Sequence, residues 1–171
     1  IDDDLNGYID DISGWDVYQM DNDPHDDTDY GHGTGEAKDS GAEGMNSIGD
    51  LGVCPECTIL MVRSGESYMT DVNDFAMSVV FAVDSGASVV QSAQGAINNS
   101  NFSRDAIDYA WNNDVTLVVS AADEDSFHQN FPGSVNHTVY VHSIQHDSSG
   151  WREAKTFLNY CNCTNYGAQL L

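Results

Sequence analysis

Two short runs rich in β-branched residues, SVVQS (Ser88–Ser92) and VTLVVSA (Val115–Ala121), flank a segment with helical spacing, NFSRDAIDYAWNND (Asn101–Asp114). A strand, a helix and a second strand with short links predict a parallel pair joined by a crossover. The pattern extends in both directions. TILMVRS (Thr58–Ser64) is a short apolar run of the kind a strand covered on both faces carries, and TVYVHSI (Thr138–Ile144) reads as a further strand. Upstream of Ser88, DVNDFAMSVVFAVDSG repeats apolar residues at Val72, Phe75, Ala76, Val79, Val80 and Val83. Thr70 or Asp71 can cap its start and Gly86 can end it. Met77 and Phe81 fall on its other side, which predicts a helix covered nearly all round. In the second helix Ala106, Ile107, Ala110 and Trp111 share one side. The fold class is therefore α/β: a parallel sheet with helices on both faces, as a single domain segment over residues 1–171. Residues 58–171 carry the strand–helix repeats and residues 1–57 are Asp/Gly-rich loops with one helix. Sites in such sheets form at the carboxyl ends of the strands, here RSGES, QSAQG and SAADEDS.

Charge narrows the partners. Asp and Glu number 28 against 5 Lys and Arg, a formal net charge of −23. Nucleic acid and acidic membrane surfaces are excluded as partners by repulsion. There is no apolar run long enough to span a bilayer. The acid is concentrated at the N-terminus, where two readings stand: solvation in a saline or extracellular setting, or Ca²⁺ binding. DDDLNGYIDD supplies Asp2, Asp4, Asn6 and Asp10 around Gly7, the spacing of the first part of an EF-hand-type loop. Its last position is Ser13 and not a bidentate Glu, so a partial calcium site is the expectation.

Four cysteines fall in two close pairs, Cys54/Cys57 (CPEC) and Cys161/Cys163 (CNC). Four thiolates could hold zinc. A Cys-x-Cys half is unusual for that, and an acidic, Lys-poor chain favours disulfides and an extracellular, secreted setting. The connectivity is left open by the sequence. A chain that opens on IDDD and closes on YGAQLL reads as an internal or processed segment, with the sheet truncated at both ends.

Several blocks in order suggest a family. DYGHGTG contains His32-Gly33-Thr34, and the acidic segment before it has the look of an approach to a His-Gly-Thr motif. GDLGVCPECTILMVRSGES, FAMSVVFAVDSGASVVQSAQG, VTLVVSAADEDS, NFPGSVNHTVYVHSI and CTNYG follow with kept order and spacing. Together they resemble the subtilisin-like serine peptidases, the subtilases. The resemblance implies peptide-bond hydrolysis of a protein or peptide substrate, with His32 as general base. A serine nucleophile needs such an imidazole in reach, and a carboxylate to hold its tautomer. It also implies that Gln94 and Gly95 contact the substrate backbone, and that surface loops are ordered by calcium.

Three departures shape the expectations. The family's Asp and Ser motifs match nothing within residues 1–171, so those partners are expected outside the segment. Glu124 takes the position of the family's oxyanion-hole Asn in AADE, and an ionised carboxylate donates no hydrogen bond. The run after His32, GTGEAKDSGAEG, is far more polar than a central helix, and Glu36 or Asp39 would need a partner such as Arg63. The competing function is a catalytically inactive fragment, a calcium-stabilised structural or self-assembling unit whose exposed sheet edges drive self-association.

Overall fold

The structure, a computed structural model, describes residues 1–2, 5–28, 30–66, 69, 71–123, 127, 130–145, 159–160 and 165. The chain divides into two compact units, Ile1–Ala87 and Ser88–Leu171.

In the first unit, β1 (Gly14–Asp16) pairs in parallel with β2 (Met61–Arg63), with Gly14 opposite Met61 and Asp16 opposite Arg63. The N-terminal third was expected to be loops up to the His motif, so β1 is a correction. Its residues sit in an Asp-rich stretch without alternation, and their strand form follows from burial: all three are buried. Gly14 has φ +112°, and a Cβ there would stand 1.8 Å from the Met61 carbonyl oxygen. Only glycine lets the two backbones meet. β2 is also shorter than its apolar run. Thr58–Leu60 lie outside it, Ile59 is exposed, and Met61 and Val62 are half-buried and not covered on both faces.

α1 (His32–Gly41) buries no residue fully, which answers its polar composition. Glu36 lies against His32, and Lys38 pairs with Asp39 (3.3 Å) and donates to Asp50 (3.1 Å). Arg63 does not serve this helix, contrary to the sequence expectation. Its Nη1 reaches Asp16 Oδ2 at 2.6 Å and Asp27 Oδ2 at 3.1 Å. α2 (Val72–Asp84) behaves as its spacing predicts. Asp71 caps it by accepting from the Asn73 N–H (2.8 Å). Gly86 at φ +84° closes it in a Schellman motif, with Ala87 N–H on Ala82 O and Gly86 N–H on Val83 O. Phe81 is buried and Met77 half-buried, while Asn73 and Asp84 are exposed, so the helix is covered over most of its surface and not all round. Phe81 joins Trp15 and Val17 in a core to which Tyr8, Leu60, Val62 and Met77 pack. Tyr8 meets both Trp15 and Phe81 edge-on, at 4.9 and 4.7 Å between ring centres.

In the second unit β3 (Val89–Ser92), β4 (Thr116–Ser120) and β5 (Thr138–Val141) form a parallel sheet in that order. α3 (Asn101–Asn112) links the first two and starts with a reciprocal Ser100/Ser103 capping box. Ser103, Ala106, Ile107 and Ala110 are its buried residues. Trp111, assigned to the same side by spacing, is 55% exposed and stacks on His137 at 4.6 Å instead. β4 buries Leu117 and Val119 in strict alternation. The run Thr138–Ile144 breaks after Val141. Ile144–Gln145 (β6) pairs antiparallel with Asn159–Tyr160 (β7). The fold is thus α/β with parallel sheets and helices.

Two stability outcomes follow. Arg63→Met leaves the fully buried Asp16 without its cation and should cost about 3–5 kcal/mol in urea unfolding, most of it recovered by pairing it with Asp16→Leu. Gly14→Ala should cost about 2 kcal/mol or more by the same measurement, because the added methyl must displace the Met61 carbonyl.

Candidate active site

His32 is the first residue of α1. The residue before it, Gly31, turns the chain with φ +78°, a conformation that costs glycine nothing. No side chain caps the helix directly; the loop is held from behind by Asp26. The Asp26 carboxylate accepts the Gly31 N–H, the Thr28 hydroxyl (2.9 Å) and the Thr28 N–H (3.1 Å). Those bonds, with the Gly31 N–H first and the Thr28 hydroxyl second, hold its carboxyl below the usual carboxylate range. The His32 imidazole is 47% exposed. Its Nε2 faces Glu36 Oε1 at 3.6 Å, one helical turn on, and the Tyr30 ring stands 6.1 Å away. At 3.6 Å Glu36 is a charge neighbour and not a hydrogen-bonded orienter, so the ring is accessible and unclamped.

The second unit carries a cleft at the carboxyl ends of its strands, as the α/β rule requires. Ala93, Gly95, Ser120, Ala122, Asp123 and Asn130 line it. The loop beyond β4 is fastened by Ala121 N–H on Val141 O (2.8 Å) and Ala122 N–H on Ser120 Oγ (3.0 Å), with Asn165 N–H on Ala122 O (2.9 Å). A reciprocal pair of backbone bonds between Ala96 and Phe131, 2.9 Å each, ties the loop after β3 to the segment holding Asn130. Of the two expected substrate contacts, Gly95 lines the cleft and Gln94 is half-buried beside it. Asn130, only 4% exposed, was not singled out by the sequence. A polar residue ahead of Phe-Pro reads as an ordinary loop residue, and only the fold shows that it faces a cleft.

Glu124, Asp4, Cys161 and Cys163 lie outside the described residues. Cys54 and Cys57 are joined by a disulfide. In the N-terminal loop Asp2 accepts the Asn6 N–H (3.1 Å) and the Gly7 N–H (3.0 Å). Asn6 Oδ1 accepts the Tyr8 N–H (2.8 Å), Asn6 Nδ2 donates to Asp11 (2.9 Å), and Asp10 meets the Ile1 ammonium. Among the described residues no three His, Cys, Asp or Glu side chains gather as a metal site.

The depressed Asp26 carboxyl fixes a pH dependence. A folded pKa below the unfolded value, about 3.9, gives a contribution present above that value and lost as pH falls through the folded one. The Gly31 amide should therefore lose its exchange protection on acidification below about pH 4, and Asp26→Asn should remove it at neutral pH; both are read by NMR.

Comparison with known proteins gives the family. The model of the Subtilase family, Peptidase_S8, matches residues 2–169. Thermitase from Thermoactinomyces vulgaris is 32% identical over 151 residues, 85% of this chain and 51% of that protein. The thermophilic serine proteinase of Bacillus sp. strain AK1 is 32% identical over 145 residues, 82% of this chain and 34% of that protein. The chain thus spans about half or less of the length of these curated relatives. Among solved structures, the patellamide maturation protease PatA superposes with a TM-score of 0.65 at 20% identity, over 81% of this chain and 49% of that one. The chain belongs to the subtilase family.

Proposed function

We propose that this chain is part of a secreted subtilisin-like serine endopeptidase that hydrolyses peptide bonds in protein or peptide substrates. His32 is the general base, and its aspartate and serine partners come from outside these residues. The observation that carries the reading is the setting of His32: an accessible imidazole at the head of α1, on a left-handed glycine whose N–H is held by Asp26. A base that must take a proton from a serine and return it to a leaving amine needs that access. The half-open charge contact with Glu36 leaves the ring free to turn to a carboxylate on its other nitrogen. The substrate would lie in extended form along the strand ends, where Gly95 offers its backbone without a side chain in the way.

The test is intact mass of the native product before and after a fluorophosphonate serine probe. A species heavier than 18.6 kDa that gains one probe, and whose turnover falls about 10⁴-fold or more in His32→Ala, is the expected result. A native species of 18.6 kDa that takes no probe would make the chain a non-catalytic member of the family.

The same reading keeps a calcium ion at the N-terminal loop, with Asp2, Asp4, Asn6 and Asp10 as its ligands. The Asp2 turn around Gly7 supports it. Added Ca²⁺ should then raise the melting temperature, by a stabilisation of about 2.7 kcal/mol at one hundred times Kd, and Asp2→Asn should abolish the rise. A melting temperature indifferent to Ca²⁺ and to chelator would leave the acid as turn-forming and solvating only.

A further inference from the structure

The strand-end cleft of the second unit is chemically one-sided. Ala93, Gly95 and Ala122 contribute nothing larger than a methyl group to its walls. Ser120 and Asn130 are polar and uncharged, which leaves Asp123 as the charged side chain of the lining among the described residues. The cleft measures about 270 Å³ and is open to solvent. That suits one long side chain and no folded partner. Gly95 keeps the entrance open: a Cβ there would already stand 3.4 Å from Asn130 Nδ2 and from the Ala122 methyl. Asp123 itself is exposed, so its carboxylate is hydrated and within reach of a ligand.

We propose that Asp123 makes this cleft a recognition pocket for a cationic side chain, arginine or lysine, of a peptide laid along the carboxyl ends of β3 and β4. The inference rests on the peptidase reading for its choice of a peptide, and it adds the class of side chain. A guanidinium brings five donors and no acceptor. The Asp123 carboxylate can take two of them side by side, and the Ser120 hydroxyl oxygen is a further acceptor in the same wall. An acidic side chain meets repulsion there. An aliphatic one strips water from Asp123 and Ser120 without replacing its hydrogen bonds. Small walls set the length of the guest and the carboxylate sets its sign.

The experiment titrates the native protein with blocked tripeptides acetyl-Ala-Ala-Arg-amide, acetyl-Ala-Ala-Lys-amide, acetyl-Ala-Ala-Leu-amide and acetyl-Ala-Ala-Glu-amide. Binding is followed by ¹⁵N–¹H spectra at the Gly95 and Ala122 amides. Arginine and lysine peptides should bind about tenfold or more tighter than leucine, and the glutamate peptide weakest. Asp123→Asn should bring arginine and leucine level. Asp105→Asn, which removes one negative charge from the exposed face of α3, should leave the preference intact and so separates the pocket from the chain's overall negative field. Raising salt to about 0.5 M should shrink the preference in the wild type and change nothing in Asp123→Asn, a second readout independent of how well that variant folds. A leucine peptide that binds as well as arginine overturns the inference, as does a preference that survives Asp123→Asn. If no peptide moves Gly95, the cleft is not a peptide site and the inference falls, whereas a fluorophosphonate label on the same product would still uphold the peptidase reading.

Discussion

With 28 acidic side chains against 5 basic ones, where the chain places each cation matters, and one of them is placed inside. Arg63 ends β2 and is 8% exposed, against an Asp16 that ends β1 with no exposure at all. Burial works against the charge on Arg63, but the hydrogen bond and charge of Asp16, followed by those of Asp27, outweigh it and raise the guanidinium pKa above its usual value. The Tyr18 ring adds a face 5.6 Å from the guanidinium carbon. The pair therefore locks two strands that have only three residues each, too few to be stable by their ladder alone. It also reaches further. Asp27 belongs to the loop that leads to His32, so one guanidinium fastens both the strand pair and the approach to the candidate base.

The acidic N-terminus has a use that neither solvation nor calcium describes. Asp21 accepts the Asp23 N–H, Asp23 accepts the His25 N–H, and Asp26 accepts the Thr28 N–H, each two residues on. These side chains turn the backbone and satisfy its donors where no ladder is available. A segment of nearly consecutive Asx-type turns can hold a defined path without helix or strand.

What the sequence disclosed depended on how far local pattern and final environment agreed. α2, α3 and β4 were legible because their apolar spacing, caps and burial all point the same way. β1 was not, since its strand form comes from a partner 47 residues away and from a buried ion pair that no local window contains. β2 was overextended because Ile59 and Leu60 are as apolar as a strand demands, yet one is exposed and neither joins the ladder. Trp111 was put on the wrong side because helical spacing cannot register a ring drawn outward to stack on His137, which in turn meets Asp108 at 2.9 Å. His32 was legible only through its flanking Gly and Thr and the ordered blocks around it. Asp26 and Asn130 carried no signal, because their roles exist only once a turn and a cleft have formed.

The two units divide the chemistry in a way that fits the family's logic of scaffold and loops. The first unit carries the candidate base His32 on a helix that buries no residue fully, so that α1 is positioned largely by its flanking loop. The second supplies a sheet whose strand ends are fastened by backbone bonds, Ala121 to Val141 and Ala96 to Phe131. Backbone anchoring leaves the exposed side chain of Asp123 able to change without disturbing the loop that carries it. A cleft built in this way can change its preference by one substitution while its frame persists. The contrast with α1 is instructive: there the frame itself is a set of carboxylate bonds, so a change at Asp26 or Asp27 would alter the setting of His32, whereas a change at Asp123 would alter what the cleft accepts.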